Sequence, residues 1–162
     1  MTYFAGIDVG SLSTEAVIID EDATMLGYSI QETGADPVRA ATEALREALS
    51  LVGVSREQLH HVVATGYGRI NIPFADRKIT EISCHAMGAH HLFPDTGTVI
   101  DIGGQDSKVI RINAEGRVLD FTMNDKCAAG TGRFLEVMAA KLRVYTEPQI
   151  VGALGAALFA KG

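Results

Sequence analysis

The sequence predicts an α/β fold built on a mixed sheet, and three observations support this class. Short apolar runs separated by polar turns open the chain, segments with a helical apolar period follow, and further apolar runs come after them. Strands that alternate with helices in this way are typical of a sheet covered by helices. The chain has 162 residues, of which 47% are hydrophobic and 21% charged, which is enough for one domain with a sizeable core.

The first third of the chain predicts three strands and one helix. Apolar runs separated by short polar turns cover residues 3–9, 15–20 and 25–31. Three short strands joined by tight turns predict an antiparallel meander. Asp36 and Pro37 then begin a helix as its N-cap and first-turn residues, and Gly53 ends it.

The rest of the chain continues the alternation. Four further strands are expected over residues 60–65, 98–102, 107–112 and 117–123. Three further helices are expected over residues 80–92, 130–142 and 148–160. Thr80 is the expected N-cap of the first of these helices. The last one contains so many Gly and Ala residues that we expect very close packing against its neighbours.

Charge and composition exclude several classes of protein. Fourteen basic and twenty acidic residues give a net charge of −6, which argues against a general binder of nucleic acid or of anionic membranes. No run approaches the ~20 apolar residues of a membrane span, and the N-terminus has no signal-peptide pattern. We therefore expect a cytoplasmic protein, in which its two cysteines form no disulfide.

A first candidate phosphate site is the segment GIDVGSLST, residues 6–14, where a strand ends in a carboxylate and a glycine turn. Glycine lets backbone N–H groups approach a phosphate closely, and the hydroxyls of Ser11 and Ser13 can donate to it. Asp8 is placed to hold Mg²⁺ through water. A carboxylate at position 15 would repel a triphosphate unless it points along the strand to solvent. The alternative is an ordinary hairpin, and no Walker A pattern occurs in the chain.

The segment VIDIGGQDSK, residues 99–108, repeats the same design about ninety residues later. Two such hairpins facing each other can clamp a triphosphate from both sides, with Asp8 and Asp101 on the metal. Gln105 is placed to orient an attacking water, and Lys108 to neutralise phosphate charge. The alternative is two unrelated turns.

The sequence around each of the two cysteines predicts a different role for it. Cys127 lies in NDKCAAGTGR, residues 124–133, just before an expected helix whose dipole stabilises a thiolate. Such a thiolate can be a metal ligand, a nucleophile or a redox group, and the alternative is a structural role. Cys84 is expected in the core, because the helical register places it near a packed face. The neighbouring His85, His90 and His91 lack the spacing of a zinc site.

Together with TGYGR (65–69), TEISCHA (80–86) and the closing PQIVGALGAA (148–157), these motifs resemble one protein family. It comprises the ATP-dependent activators of 2-hydroxyacyl-CoA dehydratases and the ATPase subunits of benzoyl-CoA reductase, the BadF/BadG/BcrA/BcrD type. The resemblance covers nearly all of residues 3–160. It implies an actin-like (ribonuclease H-like, ASKHA) ATPase fold and a homodimer bridged by a single [4Fe–4S] cluster. It also implies ATP-driven electron transfer from a ferredoxin or flavodoxin to a partner dehydratase.

The resemblance also implies roles for individual residues. The expected catalytic residues are Asp8, Asp101 and Gln105, and the two aspartates are the expected Mg²⁺ ligands. ATP or ADP would bind at two loops, formed by Gly10, Ser11, Leu12 and Ser13 and by Gly103, Gly104, Gln105 and Lys108. Cys127 is the expected ligand of the cluster, in agreement with the affinity of soft thiolates for iron–sulfur clusters.

Members of this family are longer than 162 residues and continue through a second large subdomain. By this comparison, residues 1–142 form the N-terminal ATPase-type subdomain, and residues 143–162 supply the C-terminal strand and helix that complete the fold. The alternative function is a shortened non-catalytic module that dimerises or docks on the dehydratase without a cluster or tight ATP binding. A small carbohydrate or acyl kinase is disfavoured, because no catalytic base or sugar-binding subdomain is evident.

Overall fold

The computed structural model describes residues 1–103, 106–124 and 145–162. Three residues of the expected site lie outside this part of the chain, namely Gly104, Gln105 and Cys127. The helix expected over residues 130–142 lies outside it as well.

The larger sheet has five strands, and its centre is an apolar strand near the N-terminus. Its strands are β1 (Tyr3–Val9), β2 (Ser13–Asp20), β3 (Met25–Glu32), β4 (Leu59–Thr65) and β5 (Arg77–Lys78), in the order β3-β2-β1-β4-β5. The first three strands form the predicted antiparallel meander, while β4 pairs in parallel with both β1 and β5. The sheet is therefore mixed, as predicted.

Helices cover both faces of this sheet. Helix α1 (Pro37–Val52) packs on one face, where Ile7 and Ile18 meet its alanine-rich side. Asp36 caps its first turn by accepting from the N–H of Arg39, and Gly53 ends it in the left-handed region. Helix α3 (Val151–Lys161) packs on the opposite face.

The smaller sheet is antiparallel and lies against helix α2 (Glu81–Leu92). Its strands are β6 (Thr98–Ile102), β7 (Ser107–Ile112) and β8 (Val118–Asn124), in that order. Ile110 and Ile112 pack on Ala86 of α2. Helix α2 also packs against α3, so it connects the smaller sheet to the larger one.

Glycine lets α3 approach its neighbours to backbone contact, which confirms the close packing predicted from composition. A Cβ at Gly6 of β1 would lie 1.9 Å from the carbonyl oxygen of Ala153. A Cβ at Gly155 would lie 1.8 Å from the carbonyl oxygen of Cys84 on α2. Neither position can hold a side chain without displacing α3, β1 or α2.

Within the described residues, the predicted elements agree with the structure except in short segments. The two-residue strand β5 was not predicted, because it is exposed, charged and exists only through its pairing with Val63 and Ala64. Residues 145–147 form no strand, and residues 143 and 144 lie outside the described part. The last helix is preceded by a 3₁₀ turn over Pro148–Ile150. In the described residues, no helix combines the length and apolar character that crossing a membrane requires.

Candidate functional site

Thr33, which follows β3, stabilises the turn between β1 and β2 by two hydrogen bonds. The N–H of Gly10 donates to the carbonyl oxygen of Ser13 at 2.9 Å, which closes the turn. The Thr33 hydroxyl donates to the carbonyl oxygen of Gly10 at 2.9 Å, and the Thr33 N–H donates to that of Leu12 at 2.9 Å. These bonds hold the shape of the loop before any ligand binds.

Asp8 lies on the α3 side of the larger sheet because side chains alternate along β1. Its carboxylate is almost entirely buried, and glycines leave room for it on two sides. A Cβ at Gly66, after β4, would lie 2.3 Å from Asp8 Oδ1, and one at Gly152 of α3 would lie 1.9 Å from Asp8 Oδ2. The position of Asp8 therefore depends on the absence of side chains on two other elements.

The turn between β6 and β7 has the same design. The N–H of Gly103 donates to the carbonyl oxygen of Asp106 at 2.8 Å, and Asp101 lies directly opposite Lys108 in the pairing of the two strands. The Lys108 ammonium lies 3.3 Å from Asp101 Oδ2, 2.5 Å from Asp106 Oδ1 and 3.0 Å from Glu81 Oε1. Burial opposes its charge, but hydrogen bonds to Asp106 and Glu81 raise the pKa of Lys108 overall.

The two turns line one cavity of about 1360 Å³. From the first turn the structure brings together Asp8, Gly10, Ser11, Leu12 and Ser13. From the second it brings together Asp101, Gly103 and Lys108. Phosphate groups and their counterions fit such a space, because turn N–H groups, hydroxyls and carboxylates converge on it.

His85 of α2 joins the two turns. Its Nε2 lies 3.7 Å from Asp8 Oδ2, and its Nδ1 lies 3.5 Å from Asp101 Oδ2. Burial is the main cause that raises the pKa of Asp8 to about 6; His85 and Lys108 lower it, and the neighbouring carboxylates of Glu81 and Asp101 raise it. At Asp8 the effect of burial therefore outweighs that of the nearby positive charge.

Glu15 is buried, so its carboxylate does not point along the strand to solvent, the condition under which the sequence predicted no repulsion of a triphosphate. It lies directly opposite Asp8 in the β1–β2 pairing and is 3% exposed. Its Oε1 has no hydrogen-bond partner in the described part of the chain. Burial raises the pKa of Glu15 to about 8, so the side chain is mostly the neutral acid at pH 7 and does not repel a phosphate as a charge.

The two aspartates suit a magnesium ion. Mg²⁺ is held in proteins by one or two carboxylates together with waters and substrate phosphates. Asp8 provides a buried carboxylate and Asp101 a partly buried one at the same cavity, and a cation there would offset the cost of burying the Asp8 charge. Among the described residues no group of three or more His, Cys, Asp or Glu side chains forms a complete metal site.

The described residues do not suit an iron–sulfur cluster. Cys84 is fully buried under α3, and burial raises the pKa of its thiol to about 12. A cluster ligand must be a thiolate with room for the cluster beside it, and Cys84 offers neither. Its burial agrees with the core position predicted from the sequence.

Sequence reasoning missed three residues of this site. His85 was considered only as a zinc ligand, and the TEISCHA segment was the one signal that could have drawn attention to it. Thr33 lies in no recognisable sequence motif, so no signal pointed to it. Arg69 of the TGYGR segment lines the cavity and donates to the carbonyl oxygen of Gly66 at 2.9 Å.

These features define a chain with the actin-like ATPase fold, in which two hairpin turns line one cavity. The chain belongs to the BadF/BadG/BcrA/BcrD ATPase family, whose sequence profile matches residues 5–147.

Curated relatives match most of this chain at high sequence identity. The activator of lactoyl-CoA dehydratase from Anaerotignum propionicum is 49% identical over 140 residues, which are 86% of this chain and 54% of that protein. This chain thus spans about half the length of the curated relatives it matches.

Solved structures agree in fold. The (R)-2-hydroxyglutaryl-CoA dehydratase component A of Acidaminococcus fermentans has a TM-score of 0.76 and 42% identity, covering 90% of this chain and 56% of that one. The activator of 2-hydroxyisocaproyl-CoA dehydratase from Clostridium difficile, solved with bound ADPNP, has a TM-score of 0.74 and 43% identity. It covers 89% of this chain and 53% of that one.

Proposed function

We propose that this chain is the nucleotide-binding part of an ATP-hydrolysing activator of a 2-hydroxyacyl-CoA dehydratase, or of a related CoA-ester reductase. The observation that carries the proposal is the convergence of two Asp-Gly hairpins, with Asp8 and Asp101, on one cavity. Support comes from the relatives, which are named as activators of CoA-ester dehydratases, and from the relative solved with bound ADPNP.

In this proposal the hairpins bind the phosphate chain from two sides. Backbone N–H groups and hydroxyls of Ser11 and Ser13 donate to one side of it, and the second turn donates to the other. Asp8 and Asp101 would hold Mg²⁺, which would supply positive charge against the charge that develops on the phosphoryl group. Gln105 orients the attacking water, and the remaining charge on the phosphates is countered by Lys108.

The finer parts of the proposal concern electron transfer. Cys127 is this chain's ligand to a [4Fe–4S] cluster that bridges a homodimer in the cytoplasm. Such a cluster would supply one-electron transfer from a ferredoxin or flavodoxin to the partner dehydratase. Of the two cysteines in the sequence, we assign only Cys127 as a cluster ligand, since Cys84 is a buried thiol.

Calorimetric titration with Mg²⁺ and ADPNP tests the nucleotide site. We expect the wild-type chain to bind more tightly than 1 mM, which corresponds to about 4 kcal/mol of binding free energy. Asp8→Asn and Asp101→Asn should each weaken binding by about tenfold or more, because each removes a charge from the cation site. Asp120→Asn, an exposed position on β8, is the matched control and should bind like the wild type. Wild-type binding weaker than 1 mM would contradict the proposal.

A non-catalytic module is the second candidate, and it is favoured by one observation. The chain spans about half of the length of the curated relatives it matches. As such a module, the chain should co-purify with the dehydratase and show no heat of nucleotide binding. Retention of the dehydratase together with Mg²⁺-ADPNP binding would instead favour the activator.

A further inference from the structure

His85 is a mostly buried side chain that contacts a carboxylate from each hairpin, and the nucleotide proposal gives it no role. Its side chain is 16% exposed, with Nε2 3.7 Å from Asp8 and Nδ1 3.5 Å from Asp101. The Nδ1 atom is buried and makes no hydrogen bond within the described part of the chain. The ring therefore lies between the two carboxylates without satisfying its own hydrogen-bonding capacity.

Helix α3 limits where this ring can go. A Cβ at Gly152 would lie 2.8 Å from His85 Nε2 and 1.9 Å from Asp8 Oδ2, so the backbone of α3 lies directly against both groups. The ring cannot retreat toward α3 without displacing that helix. Its open side is the cavity, which His85 helps to line.

A bound divalent cation needs the volume that the ring occupies. Mg²⁺ lies about 2.1 Å from each coordinating oxygen and keeps several of its waters. The two ring nitrogens lie 3.5 and 3.7 Å from one carboxylate each, so the ring stands in the space between Asp101 and Asp8. A hydrated cation shared by Asp8 and Asp101 would compete with the ring for this space.

We infer that His85 is a positioning residue that holds Asp8 and Asp101 in place until a divalent cation arrives, and that the cation displaces its ring toward the cavity. The inference rests on the proposed function, because it assigns the cation to the same two aspartates. His85 thus stabilises the cation-free site and competes with the cation. Loss of the ring strengthens cation binding, whereas loss of a cation ligand would weaken it.

The test compares Mn²⁺ binding by the full chain with and without the ring, in the absence of nucleotide. Free Mn²⁺ is followed by its electron paramagnetic resonance signal during the titration. We expect His85→Ala to bind Mn²⁺ about fivefold or more tightly than the wild type. The same variant should have a lower thermal midpoint in EDTA, and added Mn²⁺ should raise that midpoint more than it does for the wild type. His91→Ala, at an exposed position on the same helix, should leave both measurements unchanged.

An equal or weaker Mn²⁺ affinity in a folded His85→Ala chain would overturn the inference, as would the absence of detectable binding by both proteins. If His85→Ala does not fold, His85→Gln keeps a polar side chain of similar reach but removes the ring, and the same increase is expected of it. The proposed function fails separately, if the wild type does not bind Mg²⁺-ADPNP in the calorimeter. The Mn²⁺ titration contains no nucleotide, so the two failures are distinguishable.

Discussion

Gly152 of α3 lies directly against the carboxylate of Asp8 at the end of β1, so that a Cβ at position 152 would be 1.9 Å from Asp8 Oδ2. The two residues are 144 positions apart in the chain. A helix near the C-terminal end of the chain thereby forms one wall of a site that begins in its first strand. The integrity of the site depends on how closely α3 can pack.

Gly152→Ala should damage both stability and the site. The added methyl group must displace Asp8 or α3, and such overpacking typically costs about 1–3 kcal/mol of unfolding free energy. Mg²⁺-ADPNP affinity should fall as well, because Asp8 moves. Urea unfolding and calorimetry measure the two effects. Gly97→Ala is the control, since a Cβ there meets nothing within 4 Å. Equal unfolding free energies and equal nucleotide affinities in the two variants would contradict the prediction.

Lys108→Met should be strongly destabilising. It removes the cation that contacts Glu81, Asp101 and Asp106 and leaves their carboxylates close together without compensation. Breaking a buried ion pair from one side costs about 3–5 kcal/mol. Arg46→Met removes an exposed partner of Glu43 and should cost less than about 0.5 kcal/mol. The denaturant midpoints of the two variants measure these losses of stability. If Lys108→Met lost as little unfolding free energy as Arg46→Met, the prediction would be refuted.

Glu15→Gln should change how stability depends on pH. The pKa of Glu15 is raised from 4.5 to about 8 in the folded chain, so folding favours the neutral acid. Its stabilising contribution is complete below about pH 4.5 and is lost as pH rises toward 8, at up to about 1.4 kcal/mol per pH unit. Asp8, with its pKa raised to about 6, contributes in the same direction but only in the lower part of this range.

The unfolding free energy of the wild type should therefore fall between pH 6.5 and 8, whereas that of Glu15→Gln should fall less steeply. Chemical denaturation at several pH values measures this slope. Glu43→Gln, on the exposed side of α1, is the matched control and should keep the wild-type slope. A Glu15→Gln chain with the wild-type slope would show that Glu15 is ionised throughout.

Cys84 should resist alkylation in the native chain. Burial raises the pKa of its thiol to about 12, and the side chain is fully enclosed. At pH 8 iodoacetamide should therefore leave Cys84 unmodified until urea unfolds the protein. Mass spectrometry of the peptide that contains Cys84 measures the extent of labelling. Rapid labelling under native conditions would mean that this thiol is accessible and ionisable, contrary to its place in the core.

Much of the fold could be predicted because local patterns encode it. Asp36, Pro37 and Gly53 set the ends of α1 by their own backbone and capping preferences, and apolar runs separated by polar turns predicted the strands. The two Asp-Gly turns were recognisable from short motifs for the same reason. Strand β5 escaped prediction, since a two-residue strand has no pattern of its own and forms only by pairing with β4.

By itself, the sequence determined the class of fold, the two Asp-Gly hairpins and the close packing of a Gly- and Ala-rich helix, because each depends on neighbouring residues. Only the tertiary structure decided that His85 lies between Asp8 and Asp101, that Thr33 supports the first turn and that Glu15 is buried. These relationships join residues from different elements. Their distances and burial follow from how α2, α3 and the two sheets pack, which no local pattern contains.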